Sequence, residues 1–95
     1  MIRFSVLYAA HDGARFDHEY YRDHHIPLVV ETWQPVATEI DEGLDGPYVA
    51  AVHFQFASME AMTAATSVPG TEAVRADLVN YTDNVPVRQI SQIVD

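Results

Sequence analysis

Ninety-five residues suit one domain (1–95) with a small core, and 48% apolar side chains mark a globular chain. Fourteen Asp and Glu against five Arg and Lys give a formal charge of −9, and the arginines are scattered, so nucleic acid and anionic membranes are poor partners. No cysteine is present, which excludes disulfides, thiolate metal sites and a cysteine nucleophile; no stretch reads as a signal peptide or a membrane span, and a cytoplasmic protein is expected.

Ile2–Tyr8 alternates, with Ile2, Phe4, Val6 and Tyr8 on one face and Arg3, Ser5 and Leu7 on the other, the pattern of a strand. His11-Asp12-Gly13 is turn chemistry. The next stretch, FDHEYYRDHHIPL (Phe16–Leu28), holds three of the five histidines and two adjacent tyrosines. Asp17 is a good N-cap, and Phe16 and Tyr21 have the spacing of a hydrophobic staple. Tyr21, His25 and Leu28 share one helix face. Pro27 cannot donate to the carbonyl of Asp23 and disfavours helical angles at Ile26, so the helix is expected to end or kink at about His25. A second helical piece, with Pro27 first, then runs through Trp33 until Gln34-Pro35 stops it.

Val36–Asp41 is expected to be a strand and Glu42–Pro47 a loop. Tyr48–Phe56 alternates clearly: Tyr48, Ala50, Val52, Phe54 and Phe56 on one face, Val49, Ala51, His53 and Gln55 on the other. Ser58 caps a helix rich in small residues, Pro69-Gly70 breaks it, and Thr71 is placed to cap another that carries Val74, Leu78 and Tyr81. Thr82–Asn84 is a turn and Val85–Val94 the last strand.

The order β-α-β-β-α-β predicts an α+β, ferredoxin-like fold, an antiparallel sheet with helices on one face. The uncovered face would carry Ser5, Leu7, Val49, Ala51, His53 and Gln55, a mixture that invites a second copy. Two stacked copies would enclose a cavity lined by these residues.

The chain resembles the EthD family, named for a component of bacterial ethyl tert-butyl ether degradation. The resemblance covers nearly its whole length and rests on IRFSVLY (Ile2–Tyr8), FDHEYYRDHHIPL, PYVAAVHFQF (Pro47–Phe56) and NYTDNVPVRQISQIV (Asn80–Val94), in order. It implies a homodimer forming a dimeric α+β barrel. It also implies an accessory role beside an oxygenase system, or chemistry like that of related cofactor-free monooxygenases, isomerases and decarboxylases or dehydratases.

His25, in the family's His-x-Pro position, reads either as a general acid/base near Tyr21 or as a side chain that satisfies the broken backbone. His53 reads either as a catalyst on the cavity face or as a packed strand residue. Tyr21, Ser5, Gln55 and Tyr81 are the expected ligand contacts, although the tyrosines would serve equally as packing. Asp23 and Asp83 are placed to orient a histidine. His11, His18 and His24 should face solvent. His18-Glu19 fails as a zinc-protease motif because Arg22 stands where histidine is needed; no metal or cofactor is expected. Two functions follow: a module binding a small apolar or aromatic molecule, or a cofactor-free enzyme in which His25 or His53 moves a proton.

Overall fold

The structure, a computed structural model, describes residues 1–94. Four strands, β1 (Ile2–Ala9), β2 (Ala37–Glu42), β3 (Tyr48–Phe56) and β4 (Val87–Gln92), form one antiparallel sheet in the order β2-β3-β1-β4. With the helical segments on one face, this is the ferredoxin-like plan. Phe4 pairs with Phe54 and Val6 with Val52, so the apolar faces of the two central strands coincide. Ile2, Phe4, Tyr8, Val52 and Phe54 are all buried beneath the helices. Ser5 pairs with His53 and Leu7 with Ala51 on the opposite face. The last strand is shorter than Val85–Val94 and begins after Pro86, which has no N–H to give a ladder.

The first crossover starts as expected. The Asp17 carboxylate accepts from the Tyr20 N–H at 3.0 Å, capping α1 (His18–Tyr20), and the Phe16 ring lies 5.0 Å from that of Tyr21. The helix does not end at His25. Tyr21–His25 widens into a π-helical turn, in which the Ile26 N–H reaches the Tyr21 carbonyl, and α2 (Ile26–Trp33) continues without a break. Ile26 itself is helical (φ −65°, ψ −40°). Steric and hydrogen-bond conflict at Pro27 is relieved by one wide turn, which moves the preceding carbonyls off the proline ring. Tyr21, His25, Ile26 and Val29 are all buried, so packing holds this helix in one piece. Gln34 stops it in a left-handed conformation (φ 50°, ψ 56°), its N–H bonded to the Val30 carbonyl.

The second crossover contains α3 (Met59–Thr66), α4 (Thr71–Ala76) and a 3-10 turn (Asp77–Asn80). Ser58 caps α3 by accepting from Ala61. Thr71 does not cap α4; Gly70 holds that position, and the buried Thr71 hydroxyl accepts from the Trp33 indole at 3.0 Å, tying α4 to α2. A Cβ on Gly70 would lie 3.0 Å from a Thr32 methyl, so the close approach of the two crossovers favours glycine there.

Candidate functional site

The helices do not fill the sheet face they cover. A cavity of about 360 Å³ remains between them, with Phe4, Tyr8 and Phe54 on the sheet side and Tyr21, His25, Val29, Trp33, Val74 and Tyr81 on the helical side. Its chemistry lies at one wall. His25 Nδ1 is 2.9 Å from Asp77 Oδ2, and His25 Nε2 is 3.2 Å from the Tyr81 hydroxyl, which is 2.7 Å from that of Tyr8. The other oxygen of Asp77 accepts from the Tyr20 hydroxyl at 2.7 Å and from the Asn80 amide at 2.9 Å.

A carboxylate only accepts, so His25 donates through Nδ1 and a neutral ring leaves Nε2 as an acceptor. Burial pushes His25 below the ordinary imidazole range, and Asp77 offsets this only in part. Desolvation alone would raise Asp77, but the hydrogen bonds from Tyr20, Asn80 and His25 outweigh it and hold the carboxyl below its usual range. Burial raises Tyr8, Tyr21 and Tyr81, so all three stay protonated. The resting site is thus a neutral imidazole, an ionised carboxylate and three phenols.

The π-helical turn sets part of this arrangement. Tyr21 and His25 stack at 5.4 Å with 17° between their planes, which aims both inward. Tyr21 is 1% exposed, and its hydroxyl has no hydrogen-bond partner among the described residues.

His53 occupies a different place. On the open sheet face, Ser5 Oγ lies 2.7 Å from His53 Nδ1, and His53 Nε2 lies 3.0 Å from Asp41 Oδ2. These are the residue types of a serine-hydrolase triad. Ser5, however, is buried in a central strand laddered on both sides, which leaves no backbone N–H beside it for an oxyanion. Arg3, Glu39, Asp41 and His53 border a shallow depression. The structure therefore brings His25, Tyr21 and Tyr81 together in the cavity and leaves His53, Ser5 and Gln55 on the other side of the sheet.

The orienting carboxylate is neither Asp23 nor Asp83. Asp23 pairs with Arg22 at 2.8 Å, and Asp83 accepts from the Arg15 N–H at 3.3 Å. Asp77 holds His25 instead. The available signal was the spacing of Asp77, Asn80 and Tyr81, which puts all three on one side of a helical turn. His11 and His24 are exposed, whereas His18 is half-buried with its ring 4.7 Å from that of Phe16. Among the described residues, no three His, Asp or Glu side chains converge to hold a metal ion.

No protein-family model matches the chain, and no curated protein does. Solved structures do. An EthD-like protein from Ralstonia eutropha JMP134 is 38% identical over 99% of this chain and 92% of its own, with a TM-score of 0.90. An EthD family protein from Bacillus halodurans C-125 is 14% identical over 99% of both chains, with a TM-score of 0.80. A dimeric protein of ferredoxin-like fold from Bacteroides fragilis NCTC 9343 is 11% identical over 97% of this chain and 95% of its own, with a TM-score of 0.60. The first of these shares sequence as well as fold; the other two share the fold.

Proposed function

The chain belongs to the EthD-like proteins, and from that premise we propose that it binds a small, largely apolar or aromatic molecule between helices and sheet and moves a proton on it through His25. The observation that carries this reading is the clamp on the His25 ring, with Asp77 on Nδ1 and Tyr81 on Nε2, in the wall of an otherwise apolar cavity. A site that only held an apolar molecule would need shape and a few polar contacts. A buried neutral imidazole backed by a carboxylate adds a proton acceptor.

The step is simple to write. The Tyr81 hydroxyl turns its proton to Tyr8, for which the 2.7 Å contact suffices, and frees Nε2. Nε2 takes the proton from an activated C–H or O–H of the ligand, and the electron pair stays on the ligand as an enolate or phenolate. The imidazolium so formed keeps its Nδ1–H on Asp77, whose charge stabilises it. Return of the proton to another atom gives isomerisation. The enolate is also the species that loses a leaving group in dehydration.

Exchange of α-protons of 2-tetralone in D2O, followed by NMR, tests the reading. Wild-type protein should accelerate exchange, and His25→Asn should not. Ligand binding without acceleration would favour the accessory, binding-only role.

The second part of the proposal is a homodimer through the open sheet face. Its support is the mixed face of Ser5, Leu7, Ala51 and His53 and the dimeric state of the Bacteroides fragilis protein of the same fold. Among the described residues, no helix is long and apolar enough to cross a membrane.

A further inference from the structure

The wall of the cavity is charged in the opposite sense to the protein. The chain carries −9, with fourteen Asp and Glu against five arginines. Two of those five, Arg75 and Arg88, border the cavity, and none of its lining residues is Asp or Glu. They come from different elements. Arg75 lies on α4, and Arg88 lies on β4 opposite Val6, on the face that the helices cover. Both are exposed at the mouth of the cavity. Neither takes part in an ion pair among the described residues: Arg22 pairs with Asp23, and the remaining pairs use histidines.

Surface guanidiniums in so acidic a chain would ordinarily have carboxylates at hand. Here two face a cavity that supplies none. A cleft of one sign with apolar walls concentrates ligands of the other sign, and guanidinium binds planar anions through paired N–H groups. From this we infer that the molecule taken by the cavity carries a carboxylate, which Arg75 and Arg88 receive at the mouth while its apolar body reaches in toward His25. This rests on the cavity being the binding site, as proposed above. A carboxylate is preferred to a phosphate because no glycine lines the cavity, so it has no glycine-rich loop of backbone N–H groups to wrap a phosphate.

Each arginine also has an ordinary role. Arg75 stands in the last turn of α4, where a cation complements the helix dipole, and Arg88 stands on an edge strand, where charge discourages pairing with other chains. Those roles do not depend on the charge of a ligand.

The test uses three probes with the same ring system: 2-naphthoate, neutral 2-naphthalenemethanol and 2-naphthyl phosphate. Binding to wild-type protein and to the double variant Arg75→Gln/Arg88→Gln is measured by calorimetry at low and high salt. Wild type should bind 2-naphthoate about tenfold tighter than 2-naphthalenemethanol, and salt should weaken only the former. The double variant should lose that preference and still bind the neutral probe, which also shows that it is folded. Equal affinity for the two probes in wild type, a preference that survives in the variant, or tighter binding of the phosphate would each overturn the carboxylate assignment. If 2-naphthalenemethanol binds and 2-naphthoate does not, the carboxylate assignment falls and the cavity remains a binding site. If neither binds, the cavity reading fails and the assignment fails with it.

Discussion

Asp77 and His25 are 52 residues apart in the chain and 2.9 Å apart at the wall of the cavity. The contact joins the two crossovers. It runs from the 3-10 turn after α4 to the π-helical turn before α2, so the histidine's orientation is set by packing between separate units. Tyr20 reaches over from the same first crossover to the other oxygen of Asp77. The carboxylate is held from two directions, and the ring it holds has one tautomer available to it.

Replacing His25 with Asn keeps a donor in the place of Nδ1 and removes the titrating nitrogen. Tyr81 loses an acceptor but retains Tyr8. The loss is worth about 1 kcal/mol, or a few degrees of melting temperature for a domain of this size. The variant should therefore fold, and it should lose the catalysed exchange. A variant that unfolds would return His25 to a purely structural role.

Replacing Asp77 with Asn leaves the volume unchanged but removes the charge and adds an N–H that can compete for His25. The exchange rate should fall by roughly a hundredfold or more, as expected where a histidine loses its tautomer control. The 15N shifts of the His25 ring should report a mixture of tautomers. An unchanged spectrum with an unchanged rate would remove Asp77 from the mechanism.

The pH dependence follows from burial. His25 titrates below its ordinary value of 6.5 in the folded protein. Between the lowered folded value and 6.5, the unfolded chain binds the extra proton and the native chain does not, so stability rises with pH through that window. Above 6.5 the contribution is complete, and it is lost as the solution is acidified toward the folded value. Thermal melts from pH 7 downward should show this loss in wild type and a shallower one in His25→Asn. The rate of exchange should fall with acidification and have its midpoint below 6.5.

Phe54 sits under the helices, 1% exposed, with its ring 5.5 Å from Trp33. Truncation to Ala should cost about 3–5 kcal/mol in urea unfolding. A cost well under 1 kcal/mol would mean that the space beside it can collapse.

Light scattering of the 10.6 kDa chain should give twice that mass. Leu7→Asp places a charge in the middle of the open sheet face and should produce monomers. Wild-type protein that stays monomeric at high concentration would sink the dimer.

Strands were the most legible part of the chain. β3 has the bounds Tyr48–Phe56 that its alternation implies, because strict period-two alternation is a local signal of which face is buried. The caps at Asp17 and Ser58 are local as well. The continuous helix through Pro27 was not legible. A proline is read as a break by its own geometry, and only the burial of Tyr21 and His25 against the sheet makes a wide turn the better solution. His25, Tyr21 and Tyr81 could be singled out from sequence. Asp77 could not be matched to His25, since nearness in the chain favoured Asp23. Alternation assigned the two faces of the sheet correctly, but where helices leave a void depends on side-chain volumes summed over several elements.

The π-helical turn makes the number of residues in the first crossover helix a fixed quantity. A wide turn amounts to one extra residue carried inside a helix. Removing one residue from Tyr21–His25 would let ordinary winding resume, but it would turn everything before the cut by about 100° against everything after it. Asp17 and Phe16 would leave their seats, or α2 would leave the sheet. Insertions and deletions should therefore be accepted in the Glu42–Pro47 connection and refused between Asp17 and Trp33, so that relatives differing in length keep this interval constant.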